Sequence, residues 1–425
     1  MLYKRSRYRY YHTTSDMRIL YINHYAGSPR HGMEYRPYYL AREWVRSGHQ
    51  VQIIAADHSH LRRHAPYLGN SDCLAEVIDG IQYKWLRTPS YSGNGFGRVR
   101  NMSAFIQRLY VESGDIARKF RPEIVIASST YPLDIWPARR IAQLSSAKLI
   151  FEVHDLWPLT PIELGGKSQW HPFIIALQAA EKYAYRHADV VVSVLPKIDD
   201  YLKDKNYFVG NLKIIPNGID PAEWESKFPA KAEQAESVIG SVHRSGRSVV
   251  GYAGSHGVSN ALENLLHVAK IMRHDRVVFV LVGDGPEKEE LREKSRNESL
   301  ENIVFLDTVP KYQVPGLLSC FDIAYIGWRR HSLYRFGISP NKLTDYMMAA
   351  RPILHAVVAG NDLVSEVGCG ITVPSENPAA AVHGLRRLLS EDSDSLDQMG
   401  SRGREFALKN LTFPVLAARF LDGAI

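Results

Sequence analysis

Short apolar runs rich in valine and isoleucine alternate with segments of helical period along almost the whole chain, and nearly every run ends in glycine or a polar loop. Parallel strands need a crossover of a dozen or more residues, usually a helix, so this alternation predicts parallel sheets built from βαβ units. In the first half, residues 19–23, 51–55, 124–128, 149–153 and 190–193 read as strands, with a helix over 38–47 ended by Gly48. The second half restarts with strands over 249–254, 277–282, 303–306 and 323–326, a helix from about Leu262, and a further strand opened by Pro352. At 425 residues the chain exceeds what one hydrophobic core usually holds, so two α/β domains are expected. Between them, residues 219–247 are polar and show no strong period, and they are read as the interdomain connection.

The expected organisation is a basic N-terminal extension over 1–16, a first Rossmann-like domain over 17–218, the connection, a second Rossmann-like domain over 248–408, and a C-terminal helix within 409–425 that packs back across both. The domains are expected to face a cleft. Met17 directly precedes the first strand and is a candidate start, and a membrane-binding arm is the alternative reading of the extension. A net charge of +7 calls for an anionic partner, whether nucleotide, nucleic acid or membrane. The basic residues are scattered, without a basic helix or an aromatic platform, which argues against nucleic acid. Cys73, Cys320 and Cys369 lack metal or disulfide spacing, so no metal site is expected and a reducing, cytoplasmic setting fits. No apolar run approaches the length of a membrane span. Basic and aromatic residues between Tyr83 and Arg108 suggest peripheral contact with an anionic membrane, against the alternative of a solvated loop.

In such sheets ligands lie at the carboxyl ends of strands, which directs attention to a few segments. Ser339-Pro340-Asn341-Lys342 opens a helical segment that continues through Asp345. Ser339 is the expected helix cap, and the free N–H groups of the first turn favour an anion. Lys342 opposes the helix dipole there, which makes sense if both grip a diphosphate, with Asp345 accepting from ribose hydroxyls. The competing reading is a surface helix with an internal Lys342–Asp345 ion pair. Gly254-Ser255-His256 and Gly283-Asp284-Gly285 are turns where backbone can approach phosphate. In the first half, His154-Asp155 follows a strand: His154 could donate to or orient a hydroxyl, and Asp155 could hold its tautomer or bind an acceptor. A structural histidine in a tight turn is the alternative. His24, His31 and Arg36 lie in a donor-rich loop after the first strand and are expected on the acceptor side.

Taken together, Gly48-His49-Gln50-Val51, Val153-His154-Asp155-Leu156-Trp157-Pro158, Ile215-Pro216-Asn217-Gly218, Tyr252-Ala253-Gly254, Val282-Gly283-Asp284-Gly285-Pro286 and Phe336-Gly337-Ile338-Ser339-Pro340-Asn341-Lys342 resemble the GT-B fold retaining glycosyltransferases of the large family numbered four. The resemblance is to their bacterial surface-polysaccharide branch, near the N-acetyl-fucosaminyltransferases. It implies two Rossmann-like domains facing a cleft, and retaining transfer of an N-acetylated hexosamine or deoxyhexosamine from a UDP-sugar. The acceptor would be lipid-linked or a saccharide, at the inner face of the plasma membrane, with no metal and no cofactor beyond the donor. It implies catalytic roles for His154, Asp155 and Lys342. Donor contacts would come from Gly254, Ser255, His256, Gly283, Asp284, Gly285, Val309, Gly337, Ile338, Ser339, Asn341 and Asp345. The family's pair of acids eight positions apart falls on Gly337 and Asp345, so the first is missing and the second shortened. The Arg and Lys that many members carry after the first strand of the second domain are replaced by Gly254-Ser255-His256-Gly257-Val258, which leaves Lys342 as the diphosphate cation. A nucleotide-sugar epimerase of the same fold and a non-catalytic nucleotide- or nucleic-acid-binding module are the rival functions.

Overall fold

A computed structural model of the chain describes residues 16–93, 95–225 and 232–423. Residues 1–15 of the basic extension lie outside them. Contacts divide the chain into two units, the first running through Val192 with Phe208–Lys213 and the residues from Phe420, the second comprising Ser193–Tyr207 and Ile214–Arg419. The expected boundary near residue 218 is therefore crossed several times, because Ser193–Tyr207 belongs with the second unit.

The first unit carries an eight-stranded sheet of β1 (Arg18–Ile22), β2 (Gln50–Ala56), β3 (Cys73–Ile78), β4 (Ile81–Leu86), β5 (Ile124–Ala127), β6 (Lys148–Val153), β7 (Val190–Ser193) and β8 (Leu212–Ile214), in the order β3-β4-β2-β1-β5-β6-β7-β8. β4, β2, β1, β5 and β6 pair in parallel. Their central members are buried almost throughout, as strands covered by helices on both faces must be. β3 and β4 form an antiparallel hairpin absent from the sequence expectation. Its two-residue turn, Asp79-Gly80, has φ of 50° and 82°, the left-handed conformation at both positions that Asp-Gly supplies most readily.

The hairpin also revises the membrane reading of residues 83–108. Tyr83, Trp85 and Phe105 are core residues, exposed by 1% or less, with Tyr83 and Trp85 stacked at 5.0 Å.

The second unit holds β9 (Ser248–Ala253), β10 (Val277–Val282), β11 (Ile303–Leu306), β12 (Ile323–Gly327), β13 (Ile353–Ala356) and β14 (Gly370–Val373), in the order β11-β10-β9-β12-β13-β14. Every neighbouring pair is parallel. The stretch expected as a connection contains a helix, Glu233–Arg244. Its Ala235, Ile239 and Val242, spaced for one helical face, enter the same core cluster as Val249, Leu317 and Phe321. Residues 226–231 of that stretch lie outside the described ones. The final helix, Phe413–Leu421, lies within the expected 409–425, and Phe420 packs on Trp44 at 5.2 Å.

Candidate active site

In the second unit the ends of β9, β10 and β12 bring the sequence-predicted donor residues into two packed turns and one clamped loop. Gly283 and Gly285 are required by close approach: a Cβ on Gly283 would lie 1.9 Å from the Gly254 carbonyl oxygen, and one on Gly285 2.5 Å from that of His256. Both have φ near +150°, which side chains rarely tolerate. The turns are tied by His256 N–H donating to the Asp284 carbonyl at 2.8 Å, and Asp284 Oδ1 accepts from Gly285 N–H. Lys288 fastens the strand ends from below, donating to the Gly283 carbonyl at 2.9 Å and to Asp307 at 2.8 Å. His256 is fully buried and neither ring nitrogen has a partner among the described residues; burial, with help from Lys288, lowers its pKa to about 4, so the ring is neutral.

Lys342 lies over this floor. A Cβ on Gly254 would come within 2.9 Å of its Cε, so the glycine makes room for the lysine stem. Its ammonium donates to the Tyr252 hydroxyl at 2.9 Å and to Asn260 Oδ1 at 2.8 Å, and sits 4.5 Å from the Tyr252 ring centroid. Tyr252 spends its own proton on the Ser255 carbonyl at 2.6 Å, and Asn260 Nδ2 donates to the same oxygen at 3.0 Å. Both partners of Lys342 are thereby oriented as acceptors, and the third N–H of the ammonium remains for a ligand. Burial lowers the lysine to about 8. The Lys342–Asp345 ion pair of the competing reading does not form. The Asp345 carboxyl is raised to about 7 by burial, which the Lys311 charge, itself paired with Glu223 at 2.8 Å, offsets only in part.

The helix that carries Lys342 starts at Asn341, one residue later than expected, so that Pro340 and not Ser339 occupies its cap position. Ser339 is diverted: its Oγ accepts from Asn217 N–H at 2.8 Å and its carbonyl from Asn217 Nδ2 at 2.7 Å. One residue earlier, Asn361 Oδ1 takes the Ile338 N–H at 2.7 Å and Nδ2 donates to the Ile338 carbonyl at 3.2 Å. Ile338 N–H is thus not available to a phosphate, contrary to expectation. Gly337, at φ +92°, is pressed against Pro196, 2.7 Å from a would-be Cβ. Val309 packs half-buried on the core of this unit, while Asn341 stands exposed at the helix start.

In the first unit the residue that sequence reasoning missed is Glu152, the one acid inside the apolar strand β6. It is fully buried and pairs with Arg36 Nε at 2.9 Å. Burial alone would raise this carboxyl, but Arg36, His154 and Ser128 outweigh that and hold it well below the usual range. Tyr21 and Ser128 hydroxyls both donate to its Oε2, at 2.5 and 2.6 Å. With the serine proton committed, His154 Nε2, 2.8 Å from Ser128 Oγ, must be the N–H donor. The ring is therefore oriented through Ser128 and Glu152 and not by Asp155. Asp155 instead accepts from Leu156 N–H, Thr160 Oγ1 and Trp157 Nε1, closing its own turn.

The expected acceptor-side residues are internal: Arg36 serves Glu152. His24 is fully buried with Nδ1 on the Tyr131 hydroxyl. His31 lies between Ser28 at 2.8 Å and Glu76 at 3.4 Å, packed on Trp85.

Two α/β units, the second on an all-parallel sheet and the first on a sheet that is parallel at its centre, have the architecture of the GT-B glycosyltransferases. The chain belongs to that family. Residues 31–218 match the Glycosyl transferase 4-like domain and residues 247–391 the Glycosyl transferases group 1 domain. Among curated proteins it is similar to WcaI of Escherichia coli (strain K12), named as a colanic acid biosynthesis glycosyl transferase, at 21% identity over 72% of this chain and 74% of that one. It is also similar to WbjE of Pseudomonas aeruginosa, named as a glycosyltransferase, at 22% identity over 75% and 78%. Among solved structures, Anabaena HepE in complex with UDP and glucose has the same fold, with a TM-score of 0.65 at 13% identity over 96% of this chain and 99% of that one.

Proposed function

We propose that the protein moves a sugar from a UDP-sugar to a lipid-linked or saccharide acceptor, with retention at the anomeric carbon, in the assembly of a cell-surface polysaccharide. The donor sugar is read as an N-acetylated hexosamine or deoxyhexosamine. The observation that carries this reading is Lys342: a desolvated ammonium with two neutral acceptors, one N–H to spare, and a carboxylate three residues on that it does not pair with. A diphosphate satisfies the ammonium and a ribose diol satisfies Asp345. When the bond from the anomeric carbon to the β-phosphate oxygen breaks, the charge arriving on UDP is met by Lys342, which we read as replacing a metal ion. The glycine turns flank the nucleotide. We assign the acceptor side to the first unit, where His154, held at Nε2 by Ser128, keeps Nδ1 for a sugar hydroxyl. The polysaccharide setting is supported by the naming of WcaI, and UDP by the complex of HepE.

Replacing Lys342 by alanine tests it. A charged hydrogen bond contributes roughly 1.5–3 kcal/mol, so kcat/KM for the UDP-sugar should fall about tenfold to a hundredfold or more. Unchanged donor kinetics in that variant would remove Lys342 from the site. Proton NMR of the product's anomeric signal decides retention, and sugar interconversion without acceptor would instead indicate an epimerase.

A further inference from the structure

The β3–β4 hairpin leaves one sheet edge uncovered. β3 ends the sheet of the first unit, and its Cys73, Ala75 and Val77 are exposed, Val77 by 62%. None of the described residues of the other edge strands, β8, β11 and β14, is exposed. The hydrogen bonding of β3 is open as well. Its two-residue turn makes Ile78 and Ile81 a pair that exchanges both backbone hydrogen bonds, and such pairs recur at every second position. Ile78, Glu76 and Leu74 therefore spend their N–H and C=O groups on β4. Those of Cys73, Ala75 and Val77 point away from the sheet, where they meet no other group among the described residues. Edges are commonly blunted by lysine, proline, a bulge or a covering segment. Here the outward side chains are a thiol, a methyl and an isopropyl group, and the charged residue of the strand, Glu76, is turned inward, accepting from Trp85 Nε1 at 2.6 Å.

We propose that β3 pairs antiparallel with β3 of a second copy of the chain, across a two-fold axis at Ala75, so that the two sheets join into one. A second copy is the favoured occupant because the edge is complementary to itself. With the axis at Ala75, the Ala75 residues of both copies exchange N–H···O=C bonds, and Cys73 of each copy does the same with Val77 of the other. Glu76 falls opposite Leu74, so the pairing brings no two carboxylates together. Helix Phe96–Phe120 flanks this edge. Its Glu112 bonds Lys84, which lies opposite Ala75 and shares its face, and its Arg108 bonds Asp72 just before β3. Val111, between those two anchors, is 77% exposed and joins Cys73, Ala75 and Val77 in the surface that the second copy covers. The proposal is independent of the donor assignment, since it concerns association through an edge of the first unit.

Sedimentation velocity of the full chain at micromolar concentration tests it, and the wild type should run as a dimer. Ala75→Glu separates lost pairing from lost folding, because the new carboxylate lies opposite Lys84 within its own hairpin but opposite its own copy across the axis. It should raise the dimer dissociation constant about fivefold or more, at an unchanged unfolding temperature. Val77→Cys reads the register. Paired residues of this kind lie about 5.5 Å apart at Cα, within disulfide reach, so diamide, which takes up the protons and electrons of the thiols, should link the introduced thiol to Cys73 of the second copy. Cys73→Ser in the same chain should abolish that covalent dimer. A monomeric wild type would overturn the proposal. So would a dimer that Ala75→Glu leaves intact or that Val77→Cys fails to link, because the contact would then lie elsewhere on the chain.

Discussion

The ends of the two sheets carry charges disposed in opposite ways. At the end of β6, Glu152 is buried with Arg36, two hydroxyls and His154 around it, so every charge there is answered by the protein. Near the end of β9, Lys342 has only neutral acceptors and Asp345 stands three residues on without pairing with it. The first arrangement fixes one imidazole in one orientation. The second leaves a cation and a carboxylate to be completed from outside. Buried charge without a counter-ion is expensive, and a site that tolerates it is one that a ligand completes.

The largest effect should come from breaking the satisfied side. Glu152→Ala takes the carboxylate away from the buried Arg36 guanidinium and from two buried hydroxyls, which should cost roughly 3–5 kcal/mol and be visible as a lowered denaturant midpoint. An unchanged midpoint would mean that the network is not the support it is taken for. Next is Gly283→Ala, where the new methyl overlaps the Gly254 carbonyl. The turns must part, and strain of about 1–3 kcal/mol should accompany weaker donor binding in calorimetry.

A third test uses pH, because Lys342 and Asp345 have shifts of opposite sense. Burial raises the Asp345 carboxyl to about 7, and only its ionised form accepts from both ribose hydroxyls, so donor capture should improve as pH rises through 7. Burial lowers Lys342 to about 8, and only the ammonium attracts diphosphate, so capture should decline as pH rises through 8. The profile of kcat/KM for the donor should be bell-shaped, and Asp345→Asn should remove the acid limb while keeping the alkaline one. An acid limb that survives in this variant belongs to another group. The smallest effect is expected at His31, whose ring nitrogens face Ser28 and Glu76: His31→Gln should leave turnover within about twofold, as substitutions away from the chemistry generally do.

What was legible in the sequence and what was not follows from the range of the interactions. β10 and β11 were bounded to the residue, because an apolar run ending at a glycine or a charge marks both ends locally. The β3–β4 hairpin escaped because polar residues interrupt both strands, so neither is a continuous apolar run, although Asp79-Gly80 announced its turn. Helix Glu233–Arg244 escaped because its apolar face is only Ala235, Ile239 and Val242 among polar neighbours.

At the site, residue types on the strand-end loops were readable, but their partners were not. Ser339 looks like a cap until Asn217, 122 positions away, claims its hydroxyl; Arg36 looks like an acceptor contact until Glu152, 116 positions away, claims its guanidinium. Tyr252 and Asn260, which aim Lys342, lie in segments whose glycines drew attention while their side chains did not.

Recognition of diphosphate by Lys342 is measured by calorimetric binding of UDP and of uridine, which lacks the phosphates, to the wild type and to Lys342→Ala. The wild type should bind UDP at least tenfold more tightly than uridine, and the variant should lose most of that difference while binding uridine almost unchanged. A variant that keeps the wild-type preference for UDP would contradict it.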